Sequence, residues 1–211
     1  MTKINSYHPK EEKINVISHF IGLILSIIAL VALVVKASFT GNVWQIVSFS
    51  IYGVSLIVLY LASTLYHNSK NPKRRIKLNI FDHAAIYVLI AGSYTPYTLV
   101  TLRGRTGWIL FVLIWGIAIA GIIFKLFFTG RFDKLSTIMY VLMGWMAVFA
   151  MKPLYINLSA HGLFWLLMGG IFYTVGAIFY AQNRMKFNHA IFHIFVLLGS
   201  FSHFISIYYF V

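Results

Sequence analysis

The 211-residue chain has no cysteine, so disulfides and thiolate metal ligands are both excluded. Charge is nearly as scarce: 10% of residues are charged, where a soluble domain has about a quarter. Only four residues are acidic. An ordinary water-soluble globule is therefore excluded, and any metal site must draw on histidine, the few carboxylates and water. Nucleic-acid binding is also set aside despite a formal charge of +13, because no basic stripe sits on a separate soluble module.

What is abundant is hydrocarbon. Hydrophobic residues make up 60% of the chain. They fall in runs of about 20, each long enough to cross a hydrocarbon core of ~30 Å. Seven spans are predicted, at Ile14–Lys36, Val43–Tyr66, Ile80–Leu102, Gly107–Phe128, Lys134–Met151, Gly162–Gln182 and His189–Val211. The expectation is an all-α membrane protein, a seven-transmembrane helix bundle forming one domain over 1–211. Residues 1–13 make a short N-terminal segment, and the first apolar run is too long for a cleaved signal, so it is read as a retained span. The expected location is the cell membrane, multi-pass, with membrane lipids as partners.

Basic residues set the orientation. Thirteen lysines and arginines flank the N-terminal side of the odd-numbered spans, including Lys70, Lys73, Arg74, Arg75 and Lys77. The other side has Lys36, Arg103, Arg105 and Lys152 alone. The positive-inside rule then puts the N-terminus in the cytoplasm and the C-terminus outside. Pro96, inside the third span, is expected to bend it. Trp44 and Trp108 suit the membrane interface, and Gly169, Gly170 and Gly176 suit close helix packing.

Placing the ionisable residues by depth brings a group together. His189 and His193, four apart, share one face of the last span with a rise of ~6 Å between them. Ser63 and His67 close the second span, and Asp82 lies in the first turn of the third. Glu12, Asn15 and His19 form one stripe at the head of the first. All fall near the cytoplasmic boundary, where ionisable groups are costly unless they pair, bind an ion or face a wet cavity. Three histidines plus water make a tetrahedral zinc site with one exchangeable position. Zinc suits a thiol-free, histidine-rich site without redox chemistry. Asp82 is placed to orient a zinc-bound water and act as general base. Ser63 is placed to hydrogen-bond that water, a substrate carbonyl or a helix backbone. Glu12, Asn15 and His19 are read as outer support or structural bracing. His203 lies ten residues beyond His193 and ~80° off its face, and is read as packing or a buried hydrogen bond. Position 190 is alanine, so no H-E-x-x-H base accompanies the histidine pair.

Glu12-x2-Asn15-x3-His19, Ser63-x3-His67 followed by Asp82, and His189-x3-His193 resemble, in order and along nearly the whole chain, the motifs of the bacterial hemolysin III family. That family is related to the progestin and adipoQ receptors (PAQR) and more distantly to alkaline ceramidases. The resemblance implies a seven-helix bundle with zinc held by His67, His189 and His193, and with Asp82 and Ser63 beside its water. Three functions follow as expectations. The first is a zinc-dependent hydrolase of lipid amides or esters. The second is a non-catalytic lipid-sensing or membrane-homeostasis protein with structural zinc, and the third is a hemolysin or pore.

Overall fold

A computed structural model describes residues 7–129, 132–182 and 184–211. Lys3 and Arg131, which entered the charge comparison, lie outside them. Eight α-helices follow in order: α1 Pro9–Thr40, α2 Val43–Asn68, α3 Pro72–Pro96, α4 Arg105–Phe128, α5 Asp133–Gly144, α6 Met151–Asn157, α7 Ala160–Ala181 and α8 Asn188–Phe210. A 3-10 segment, Trp145–Ala150, joins α5 to α6 in one span. Seven of the resulting helical spans are long and apolar enough to cross a membrane, and the described residues contain no strand. The protein is a multi-pass membrane protein.

Helix starts differ most from expectation. α1 begins at Pro9, five residues before the predicted span, because proline at a first helical position gives up only an N–H that has no helical partner. Glu11 and Glu12 thereby join the first turn, where carboxylates suit the helix dipole. α3 begins at Pro72, with Asn71 accepting from Arg74 N–H at 3.2 Å. Lys73, Arg74, Arg75 and Lys77, read from sequence as a connection, are its opening turns. Hydropathy registers the part of a helix that meets lipid and misses polar turns projecting beyond it.

Two irregularities have visible causes. Regular α-helix ends at Pro96, and Tyr97–Thr101 forms a widened π turn closed by Leu102 N–H donating to Tyr97 O at 2.8 Å. In the fifth span the Tyr94 hydroxyl enters the backbone ladder. It donates to Gly144 O at 2.6 Å and accepts from Ala147 N–H at 2.8 Å, and the α geometry gives way to 3-10 there. The predicted stop at Met151 is also passed: the span continues to Asn157, with Pro153 tolerated in the first turn of α6.

The outer faces carry Ile28, Val31, Val112, Phe127, Ile138 and Phe149, all exposed, as lipid contact requires. The interior is more polar: Tyr52, Tyr60, Tyr66, Tyr87, Ser48 and Ser63 are buried. α1 packs on α2, α2 on α3 and α7 on α8. This gathers the start of α1, the end of α2 and the starts of α3 and α8 at one end of the bundle. Glycines provide the close approaches, as at Gly176, where an added Cβ would meet Phe195 and Phe192.

Candidate metal centre

His67 arrives at this end from the last turn of α2, while His189 and His193 arrive from the first two turns of α8. All three are buried, and each offers a ring nitrogen within 4.8 Å of the others'. His67 Nε2 and His189 Nε2 are 3.1 Å apart. Two nitrogens on one tetrahedral ion at ~2.0–2.1 Å would be about 3.3 Å apart. The separation fits one shared ion, and the group can hold a metal.

The opposite nitrogens face outward partners. His67 Nδ1–H donates to Glu12 Oε2 at 2.6 Å, and the other oxygen of Glu12 pairs with Arg75. Ser18 gives its own proton to Asn15 O at 3.1 Å, so its oxygen can accept from His193 Nδ1–H, 3.4 Å away. The Tyr7 hydroxyl is 3.1 Å from His189 Nδ1, and the two rings stack with centroids 4.5 Å apart. Each Nδ1 is thus directed away from the cluster, leaving each Nε2 for an ion. Outer partners of this kind fix tautomer and ring orientation.

The start of α8 is held in the same way. Phe187 takes a left-handed φ of 60°, uncommon for a bulky residue, and α8 has no capping side chain of its own. Glu11 supplies one from α1, its carboxylate accepting from His189 N–H at 3.2 Å.

A cavity opens beside the cluster, lined by His189, His193, His19, Ser63 and Asp82 and continuing between apolar walls. Asp82 is not one of the three close ligand groups. It lines the cavity beside Ser63, whose buried hydroxyl has no well-formed hydrogen bond. The remaining residues of the predicted stripe also reach this layer. Asn15 Nδ2 is 3.5 Å from His67 Nδ1, and His19 stacks parallel on His193 with centroids 3.5 Å apart.

The sequence family described as Haemolysin-III related matches residues 7–204. The chain belongs to this family. It is 52% identical over 211 residues to Hemolysin-3 of Bacillus cereus, covering 100% of this chain and 96% of that one. It is 52% identical over 191 residues to the Hemolysin-3 homolog of Bacillus subtilis, covering 90% of each. The human monocyte to macrophage differentiation factor is 25% identical over 175 residues, covering 80% of this chain and 72% of the human one. The family resemblance carried by the three motif blocks is borne out.

In this haemolysin-III related protein several contributors lay outside the sequence reading. Tyr7, Glu11, Ser18 and Arg75 each touch a histidine of the cluster or its partner. His83, next to Asp82, lines the cavity wall. Scarcity was a usable signal for Glu11, since it neighbours Glu12 in a chain with only four acids. Tyr7 and Arg75 had no such signal.

Proposed function

We propose that this protein is a zinc-dependent membrane hydrolase of lipid amides or esters, its reacting centre at the cytoplasmic side of the bundle. The single observation behind the reading is the cluster's setting: three histidines with outward-held Nδ1 atoms stand at the head of an apolar cavity whose polar lining includes Asp82 and Ser63. Zinc in such a site supplies a polarised carbonyl and a water acidified toward neutral pH. The chain's own residues do the rest. Asp82 holds and accepts a proton from the water that enters the cavity. Ser63 donates to the substrate carbonyl, and the apolar walls hold the acyl chain and exclude bulk water.

The test is a product screen by mass spectrometry on purified protein offered a panel of ceramides, N-acyl amides and lysolipid esters. Turnover is expected in wild type and lost after chelation. Asp82→Ala is expected to lose turnover while keeping its metal. Activity that survives both treatments overturns the proposal.

One feature favours a second, purely structural role: through Glu11, Glu12 and the histidines, the cluster fastens α1, α2 and α8 together. Under that reading His193→Ala lowers the melting temperature and no lipid in the panel is cleaved.

A further inference from the structure

Deeper in the same bundle His203 stands apart. It lies ten residues past His193 on α8, about 15 Å along the helix axis. The residue is nine-tenths buried, its ring has no hydrogen bond from either nitrogen among the described residues, and it lines both the large cavity and a smaller adjoining one. Of the two sequence expectations for it, packing or a buried hydrogen bond, its contacts with Gly169 and Tyr173 fit packing. The Leu166 carbonyl of α7 is nearby but out of hydrogen-bond geometry.

Several polar side chains around it are already satisfied. Ser93 donates to Leu89 O at 2.8 Å, Tyr94 bridges Gly144 and Ala147, Trp145 Nε1–H donates to Thr174 Oγ1 at 2.9 Å, and Tyr173 shares a 2.9 Å bond with Ser200. Among the described residues at this level, His203 and Tyr97, whose buried hydroxyl also has no hydrogen bond, keep a donor and an acceptor for an occupant, and of the two only His203 lines both cavities. The position of its ring is built rather than accidental. It rests against Gly169, where any Cβ would overlap it, and edge-on to Tyr173 with centroids 5.4 Å apart. A buried imidazole with nothing to bond costs stability. Apolar cavities with one or two convergent polar groups are how proteins read an otherwise featureless ligand.

We propose that His203 is a second recognition point in the cavity, selecting an acyl chain with a hydroxyl or keto group at mid-chain. The proposal adds a substrate class to the hydrolase reading and rests on it only for the headgroup's position at the histidine cluster. The ~15 Å between the two levels puts the recognised group well down the chain, not beside the carboxyl.

The test is equilibrium binding, with no turnover required. Metal-depleted and metal-loaded protein in nanodiscs are titrated with stearate, mid-chain hydroxystearate and β-hydroxystearate, and binding is followed through intrinsic tryptophan fluorescence and native mass spectrometry. Wild type is expected to prefer the mid-chain hydroxy acid about three- to tenfold over the other two, the worth of one net hydrogen bond. His203→Leu is expected to remove the preference while binding stearate at least as well, and His203→Gln to restore part of it. Equal binding of all three by wild type would mean that water satisfies the ring, and would overturn the proposal whether or not the leucine variant folds. Preference retained by a folded His203→Leu protein would overturn it too. A mid-chain preference in a protein that binds no zinc would leave this inference standing and defeat the hydrolase reading.

Discussion

Replacing Glu12 tests the metal centre at a residue that is not itself expected to bind the ion. Its carboxylate joins His67 Nδ1 at 2.6 Å to Arg75, with side-chain exposures of 0% for His67, 19% for Glu12 and 14% for Arg75. Exposed ion pairs contribute less than about 1 kcal/mol, whereas hydrogen bonds to charged groups shielded from water contribute about 1.5–3 kcal/mol. Exposures of a fifth or less put this pair nearer the second figure. Independently, losing an outer partner of a ligating histidine weakens metal binding ~10–100-fold, which is about 1.4–2.8 kcal/mol at tenfold per 1.4 kcal/mol. The two routes agree. Glu12→Ala is therefore expected to weaken zinc binding 10–100-fold in a competition titration against a fluorescent chelator. Glu12→Gln, which keeps an acceptor for Nδ1–H but not the charge, should lose less. Arg75→Ala should be milder than Glu12→Ala, since the carboxylate stays in place. If Glu12→Ala binds zinc as tightly as wild type while His193→Ala does not bind it, the carboxylate is a surface ion pair and the reasoning fails.

His67→Ala, His189→Ala and His193→Ala are each expected to purify with substoichiometric zinc by elemental analysis beside a zinc-containing wild type; full occupancy in any one removes that residue from the ligand set. Tyr94→Phe leaves Gly144 O and Ala147 N–H without their shared partner, and about 1–3 kcal/mol of stability should be lost, read as a lower melting temperature in detergent. An unchanged melting temperature would mean the fifth span closes its own backbone bonds there. For orientation, a phosphatase reporter fused after Val211 should be active and a fluorescent-protein reporter at the same place dark, as expected if the basic end of the bundle is cytoplasmic. The opposite pattern would reverse the proposed topology.

Burial in lipid makes the number and type of spans readable without a structure. With no water to satisfy a backbone, apolar runs of membrane length must be helices, and all seven were visible. Histidine spacing was equally local: four residues on a helix means one face, whatever surrounds it. The ends of α1 and α3 were not legible, because charged helical turns that emerge from lipid resemble loops in composition. Lys152 and Pro153 likewise suggested a boundary that the helix passes.

The sequence alone determined the seven helices, the family and the candidate ligands at one end of the bundle, since each depends on composition or on neighbours a few residues apart. Only the tertiary structure decided that Glu11 caps α8, that Glu12 is shared between His67 and Arg75, that Tyr7 covers His189, and that His203 has no hydrogen-bond partner among the described residues. These are meetings between residues far apart in the chain. They depend on how far each helix slides and rotates against its neighbours, and that is settled by side-chain packing rather than by any periodicity along the chain.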